Sequence, residues 1–182
     1  TVPGDITLTL NGALNQNQTG GFLITPKMGT FDAVIGGSGK LYSGNAQQMP
    51  DFLVNQYNPS GSLVIKNEIM DRPVFVAGAG ATLDGANNRR INNLDPALVA
   101  TLPIGTVLTD PNLPSGATVT GYYSGTAIQI SLAHAMDGSP VAPTFTFHTG
   151  VEKLGPGPLV LENANTYTGV TFLADGVLSA SI

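Results

Sequence analysis

The chain has no cysteine and no tryptophan, and only 10% of its 182 residues are charged. The absence of cysteine excludes disulfide scaffolds and thiolate metal sites. Seven Lys and Arg residues lie scattered among twelve acidic residues, so no basic patch is available for nucleic acid or an anionic membrane surface. No apolar run reaches the roughly 18 residues of a membrane span. We therefore expect no nucleic-acid partner and no membrane insertion.

What the sequence does contain is glycine, proline and short apolar runs. The 23 glycines and 13 prolines make long helices unfavourable, whereas a hydrophobic content of 42% argues against disorder. The run Ile6–Leu10 alternates apolar and hydroxyl residues, which is typical of a strand with one buried face. Similar short runs recur along the chain. The composition therefore predicts an all-β protein long enough to bury a core.

Small-residue turns precede several of these runs. The second glycines of successive turns are 22, 19 and 77 residues apart in the segments Gly37-Ser-Gly39, Pro59-Ser-Gly61, Gly78-Ala-Gly80 and Gly155-Pro-Gly157. A recurrence near 20 residues is typical of one coil of a β-solenoid. We therefore expect Leu41, Leu63 and Leu83 to stack in register, and the long interval to hold an insertion.

These intervals predict three segments. Residues 1–88 form solenoid coils, residues 89–150 form an inserted all-β subdomain, and residues 151–182 return to the coils. Within the insertion only Leu94–Ala100 has the pattern of a helical turn, because Asp95 can cap it and Pro96 suits its first position. The rest of the insertion is predicted to form strands.

Two adjacent tyrosines mark the insertion. Tyr122 and Tyr123 lie on one predicted strand, so their rings must point to opposite faces. One ring is therefore expected to be exposed, where it could stack on a sugar or contact a protein. We identify this pair as a possible interaction surface.

The segment 154–182 carries the most distinctive motif. Gly155-Pro-Gly-Pro-Leu-Val-Leu-Glu-Asn-Ala-Asn165-Thr166-Tyr167-Thr168-Gly169-Val-Thr resembles the autotransporter-associated β-strand repeat, which runs roughly G-x-G-x-L-x-L-x-x-x-N-T-Y-x-G-x-T. The resemblance implies a right-handed parallel β-helix in a secreted or surface-displayed bacterial protein, usually a stalk or passenger segment without catalysis.

A second, shorter resemblance lies in the insertion. The pattern G-T-x-L, followed by P-x-G-A-T-V-T-x-x-x-S-G-T-x-I-x-I-S, runs from Gly105 to Ser131. It resembles a small β-motif of phage tail proteins and large bacterial surface proteins. A virion tail or decoration protein therefore stays open as an alternative.

The residues that could carry chemistry do not form a recognisable site. Gly36–Lys40 is followed by a predicted strand and not by a helix, so it lacks the context of a phosphate loop. His134 and His148 have no carboxylate at ligand spacing, and no G-x-S-x-G elbow occurs. Glu68, Asp71 and Arg72 are expected to form a solvated corner, and Asp84 is expected in a turn. We predict no catalytic residue, no cofactor and no metal.

Together these patterns predict an all-β, right-handed parallel β-helix with an all-β insertion. The expected role is a non-enzymatic building unit of a fibre, stalk or adhesin-like passenger outside the cell. Its partners would be further copies, or further repeats of the same parent chain, with possible glycan or host-surface contact. A carbohydrate-binding or polysaccharide-cleaving β-helix is an alternative. Because the chain begins Thr1-Val2-Pro3 without Met, we expect a mature or excised piece.

Overall fold

The protein is all-β in the computed structural model, which describes residues 6–9, 14–16, 22–23, 32–43, 51–78 and 80–180. Its one helix among these residues is Pro96–Val99 (α1). The strands are Ile6–Thr9 (β1), Leu14–Gln16 (β2), Phe22–Leu23 (β3), Ala33–Gly36 (β4), Leu41–Ser43 (β5), Asp51–Asn55 (β6), Leu63–Ile65 (β7), Phe75–Val76 (β8), Thr82–Leu83 (β9), Arg90–Asn92 (β10), Val107–Thr109 (β11), Val119–Ser124 (β12), Ala127–Ile130 (β13), Thr144–Thr146 (β14), Gly150–Leu154 (β15), Leu159–Leu161 (β16), Thr171–Leu173 (β17) and Leu178–Ala180 (β18).

The described chain divides into two compact units. Unit 1 comprises the described residues up to Ser43, those from Asp51 to Asp71 and those from His148 to Ala180, and unit 2 comprises Arg72–Phe147. In unit 1 the Thr149 N–H donates to Asp71 Oδ1 at 2.7 Å. In unit 2 the Arg72 guanidinium carbon lies 4.2 Å from the centre of the Phe147 ring. Unit 2 is therefore an insertion whose two ends lie together.

Unit 1 consists of parallel sheets. A five-stranded sheet has the order β1-β4-β7-β16-β18, a four-stranded sheet has the order β3-β6-β15-β17, and β2 pairs with β5. The chain visits the five-, two- and four-stranded sheets in that order twice, through β1–β3 and then β4–β6, before it returns to the five-stranded sheet at β7. We call each passage of the chain from the five-stranded sheet back to it a circuit. After unit 2 it alternates between the four- and five-stranded sheets.

The core of unit 1 lies between its sheets. Alternate residues of a strand point to the same face, and the register pairs Leu63 with Leu159 and Ile65 with Leu161. All four side chains are buried, and Phe52 of the four-stranded sheet joins the same cluster. Apolar side chains therefore stack on apolar side chains from one circuit of the chain to the next.

Unit 2 is built from antiparallel sheets. One has the order β12-β13-β10-β9 and the other the order β11-β14-β8. Seventeen buried apolar residues, among them Phe145, Ile91 and Ile128, form its core. Helix α1 adds Leu98 and Val99 to that core.

Helix α1 begins as its sequence predicts. The Ala97 N–H donates to Asp95 Oδ1 at 2.8 Å, and Pro96 occupies the first turn. The helix is four residues long, shorter than the Leu94–Ala100 pattern from which it was expected.

The expected register of Leu41, Leu63 and Leu83 is wrong. Leu63 pairs with Leu159 in the five-stranded sheet, Leu41 belongs to the two-stranded sheet, and Leu83 pairs antiparallel with Ile91 in unit 2. Glycine turns that look alike in the sequence precede strands of different sheets, because Gly39 precedes β5, Gly61 precedes β7 and Gly80 precedes β9.

The expected spacing near 20 residues holds only for the last circuit. Partners in the five-stranded sheet are 30 positions apart at Ala33 and Leu63, but 19 apart at Leu159 and Leu178. The first circuits are longer because each includes a strand of the two-stranded sheet, which the last circuit lacks.

The insertion begins earlier than residue 89. Unit 2 starts at Arg72, because β8 pairs with β14 and β9 pairs with β10, both inside unit 2. It ends at Phe147, three residues before the expected boundary at residue 150.

Candidate interaction surfaces

Tyr122 and Tyr123 point to opposite faces of their strand. The Tyr122 ring is half-buried against the core of unit 2, and its hydroxyl donates to the Leu102 carbonyl oxygen. Burial raises the pKa of the Tyr122 phenol above its ordinary value. Tyr122 is therefore a packing residue, and Tyr123 is the exposed member of the pair.

Tyr123 lies over an arginine that is itself fixed. The Arg90 guanidinium carbon lies 3.4 Å from the centre of the Tyr123 ring, and Arg90 Nη1 donates to Asp84 Oδ2 at 3.1 Å. Asp84 is buried and also accepts from Asn92 Nδ2 at 3.2 Å. The sequence places none of these partners beside the tyrosine, because the pairing of β10 with β13 brings them there.

The repeat motif forms a corner that ties two circuits of unit 1 together. Asn165 Oδ1 accepts from the Ile69 N–H at 2.8 Å, and its Nδ2 donates to the Asn163 carbonyl oxygen at 2.8 Å. One side chain therefore satisfies a backbone donor of the preceding circuit and a backbone acceptor of its own turn. This explains why an amide suits position 165.

The hydroxyl residues of the motif extend this tie. Thr166 Oγ1 donates to Glu68 Oε1 at 2.6 Å, and Thr168 Oγ1 donates to Asp71 Oδ2 at 2.6 Å. Glu68 also pairs with Lys40 of a still earlier circuit. Glu68 and Asp71, which the sequence suggests are solvated corner residues, therefore join successive turns.

Tyr167 and Gly169 complete the corner. The Tyr167 ring packs against the core of unit 1, and its hydroxyl lies 2.7 Å from Thr171 Oγ1. A Cβ on Gly169 would overlap the carbonyl oxygen of Thr149, and the Gly169 N–H donates to that oxygen at 2.9 Å. The five motif residues therefore have structural contacts in this unit.

The last circuit leaves inward positions uncovered. β17 and β18 are the outer strands of the two large parallel sheets. Val151 and Leu159 are fully buried, but their register partners Thr171 and Leu178 are exposed and half-buried. The large exposed apolar side chains of this circuit are Val170, Phe172, Leu173 and Val177. No described strand pairs with the outer edges of β17 and β18.

Lys153 is a buried cation that no motif of the sequence marks. Its Nζ donates to the carbonyl oxygens of Leu154, Gly155 and Asp175, and the side chain is fully buried. Desolvation lowers the pKa of Lys153, and the negative charge of Asp175 partly offsets this. The alternation of its strand could have revealed it, because Val151 and Lys153 must share a face.

The two histidines lie apart from any cluster of ligands. His134 has its two ring nitrogens 2.6 and 2.8 Å from the carbonyl oxygens of Ala135 and Arg90, and His148 Nδ1 lies 2.6 Å from Thr168 Oγ1. In the described ranges no three His, Asp or Glu side chains are grouped as metal ligands. No helix there is long and apolar enough to cross a membrane.

The carboxylates are mostly engaged in turns and ion pairs. Among the carboxylates of the described residues, nine have partners: Asp32, Glu68, Asp71, Asp84, Asp95, Asp110, Asp137, Glu162 and Asp175. Hydrogen bonds lower the pKa of four carboxyls, chiefly from Ser62 to Asp32, Lys40 to Glu68, and the backbone N–H groups of Ala86 and Ser139 to Asp84 and Asp137. These four are ionised at neutral pH, whereas a general acid needs a raised pKa.

Comparison with known proteins gives no match among family models, curated proteins or solved structures. The similarity of residues 154–182 to the autotransporter-associated repeat therefore stays a prediction from the motif.

Proposed function

We propose that the chain is a non-catalytic building unit of an extracellular or surface assembly. In this proposal unit 1 is a right-handed parallel β-solenoid that associates end to end through its outer strands. The parallel pairing of all its strands and the repeated return of the chain to the same sheets support this architecture. The placement outside the cell rests on the resemblance of the repeat motif.

The exposed inward positions of the last circuit carry the proposal. Leu173 is 45% exposed although its register partner Lys153 is fully buried. Unpaired strand edges with apolar side chains are templates for a further strand. We therefore expect another circuit to cover β17 and β18.

A second copy of the chain has the complementary edge. β1 and β3 are the outer strands at the opposite edges of the same two sheets, and they run parallel to β18 and β17. A copy displaced along the stacking direction of unit 1 would bring both pairs of strands together at once. The two surfaces differ, so the contact is head-to-tail, and a repeated displacement along the stacking direction extends it into a filament.

The state of the carboxylates supports a role without catalysis. The four with shifted pKa values are held in the ionised form, and nine of the described carboxylates accept hydrogen bonds or form ion pairs. Polysaccharide cleavage by acid catalysis would need a protonated carboxyl beside the substrate.

Light scattering coupled to size-exclusion chromatography, over a range of protein concentrations, tests the assembly. We expect the wild-type mass to rise with concentration, and Leu173→Lys to weaken association by at least about tenfold, since an edge lysine opposes strand addition. Ile104→Lys is the matched control, because Ile104 is 52% exposed but lies in unit 2. A wild type that stays monomeric at all concentrations, or equal effects of the two lysines, would reject association through these edges.

A further inference from the structure

Tyr123 has one ring face covered and the other open. The Arg90 guanidinium carbon lies 3.4 Å from the ring centre, so it covers one face. The tyrosine is nevertheless 58% exposed, whereas the Arg90 side chain is only 19% exposed. The exposed area of the ring therefore comprises its edge, its hydroxyl and the face turned away from Arg90.

An irregularity of strand pairing sets this orientation. The register of β12 against β13 shifts between Tyr122 and Ser124, so Tyr123 falls within a bulge. Bulges redirect a side chain relative to its neighbours. Tyr122 keeps its hydroxyl bond to Leu102 on the core side while Tyr123 lies on the outer face.

Hydrogen bonds hold the support under the ring in place. Asp84 Oδ1 accepts from the N–H groups of Ala86 and Asn87 at 2.7 and 3.1 Å, and its Oδ2 holds Arg90 and Asn92. A ring held in place before binding loses little conformational freedom when a ligand stacks on it.

A polar side chain lies on the same face of the sheet as Arg90. Gln129 is exposed and pairs directly with Arg90, so the two side chains share a face of the sheet. Gln129 is also paired with Gly121, which has no side chain to cover it. A flat aromatic face, with an amide on the same face of the sheet, suits a ligand that has one apolar face and hydroxyl groups at its rim.

We infer that the open face of Tyr123 is a stacking site for the apolar C–H face of a neutral pyranose ring, with Gln129 hydrogen-bonding its hydroxyls. The sugar is neutral because Asp84 already balances the charge of Arg90. The net charge of −5 also disfavours an anionic glycan. A protein partner fits less well, because a single exposed ring offers far less than the roughly 800 Å² per side of a stable interface.

This site is independent of the end-to-end association proposed above. Copies arranged in a filament would present many weak sites, and their avidity would exceed the affinity of one site. The binding experiment therefore uses the Leu173→Lys background alongside wild type, so that loss of assembly and loss of binding are measured separately.

Saturation-transfer NMR with neutral hexasaccharides of glucose, galactose, mannose and N-acetylglucosamine, at millimolar concentration, tests the inference. We expect at least one to bind wild type, with Tyr123→Phe close to wild type because stacking is kept. Tyr123→Ala should lose at least about tenfold in affinity. Tyr57→Ala is the matched control, since Tyr57 is 54% exposed but lies in unit 1.

Three results would overturn the inference. They are the absence of binding by every neutral sugar, binding that survives Tyr123→Ala, and a preference for sulfated or uronic oligosaccharides that disappears in salt. Circular dichroism of each variant checks that the fold is intact.

Discussion

Unit 1 and unit 2 bury their apolar side chains in different ways. In unit 1 each strand pairs in parallel with residues at least 19 positions away, and side chains stack from one circuit to the next. In unit 2 the pairing is antiparallel and includes partners as close as Ser124 and Ala127. Unit 1 therefore leaves inward positions of its last circuit exposed, whereas the described core of unit 2 comes from one segment of chain, Ala77–Phe147.

The space around the glycines also differs between the two units. In unit 1 a Cβ on Gly157 or Gly169 would overlap backbone atoms of the adjacent turn. In unit 2 a Cβ on Gly78 or Gly125 would have no atom within 4 Å. These two turns of unit 1 are therefore stacked at backbone contact distance, whereas the two turns of unit 2 have open space beside them.

The largest loss of stability should come from removing a buried aromatic ring in either unit. Phe145→Ala in unit 2 and Phe52→Ala in unit 1 each delete a fully buried side chain and should cost about 3–5 kcal/mol. Because each ring belongs to a separate core, we expect hydrogen exchange to accelerate mainly in the unit that carries the change.

Amide exchange measured by mass spectrometry distinguishes the two units. Phe145→Ala should expose β13 and β14 while β7 and β16 stay protected, and Phe52→Ala should do the reverse. Equal loss of protection in both units after either change would mean that they unfold as one, and the separation of their cores would have no energetic meaning.

The fold class could be predicted from local pattern, but the pairing could not. Short alternating runs and glycine turns indicate strands, and the Asp95-Pro96 signal marks the start of α1. The partner of a strand such as Leu63–Ile65 depends on residues up to 96 positions away. Turns of similar composition therefore led to the wrong register for Leu83, which pairs antiparallel within unit 2.

The candidate surfaces were predictable only in part. Adjacency of Tyr122 and Tyr123 requires that they point to opposite faces, but which ring is buried depends on the bulge and on the Leu102 carbonyl. The Asp84–Arg90 support under Tyr123 follows from the order β12-β13-β10, which no local signal contains.

A smaller loss of stability should follow from adding one methyl group to a stacked turn. Gly169→Ala places its Cβ against the Thr149 carbonyl, so the backbone must shift, and we expect a loss of about 1–3 kcal/mol. Gly78→Ala is the matched control from unit 2, where the space is open and the change should stay within about 0.5 kcal/mol. Urea denaturation measures both. Equal stability of the two variants would contradict the close stacking of turns in unit 1.

The smallest predicted contribution to stability is that of Glu68, which joins Lys40 and Thr166 across three circuits of unit 1. The hydrogen bond from Lys40, and then that from Thr166, lowers the pKa of Glu68 below its ordinary value of 4.5. A lowered folded-state pKa stabilises the fold above the unfolded-state pKa, and this contribution is lost as pH falls through the folded-state pKa. It should be less than about 1 kcal/mol, because the Lys40 ammonium is half exposed.

Denaturation of wild type and Glu68→Gln between pH 7 and pH 3 measures this contribution. The variant should be less stable near neutral pH and should lose less stability on acidification, so that the two curves converge at low pH. Lys40 and Glu68 are 28 positions apart, so their ion pair joins two circuits, whereas the ion pair of Asp84 and Arg90 in unit 2 joins residues six positions apart. If the curves of wild type and Glu68→Gln stay parallel down to pH 3, this carboxylate does not hold the circuits together, and backbone pairing and apolar stacking account for the cohesion of unit 1.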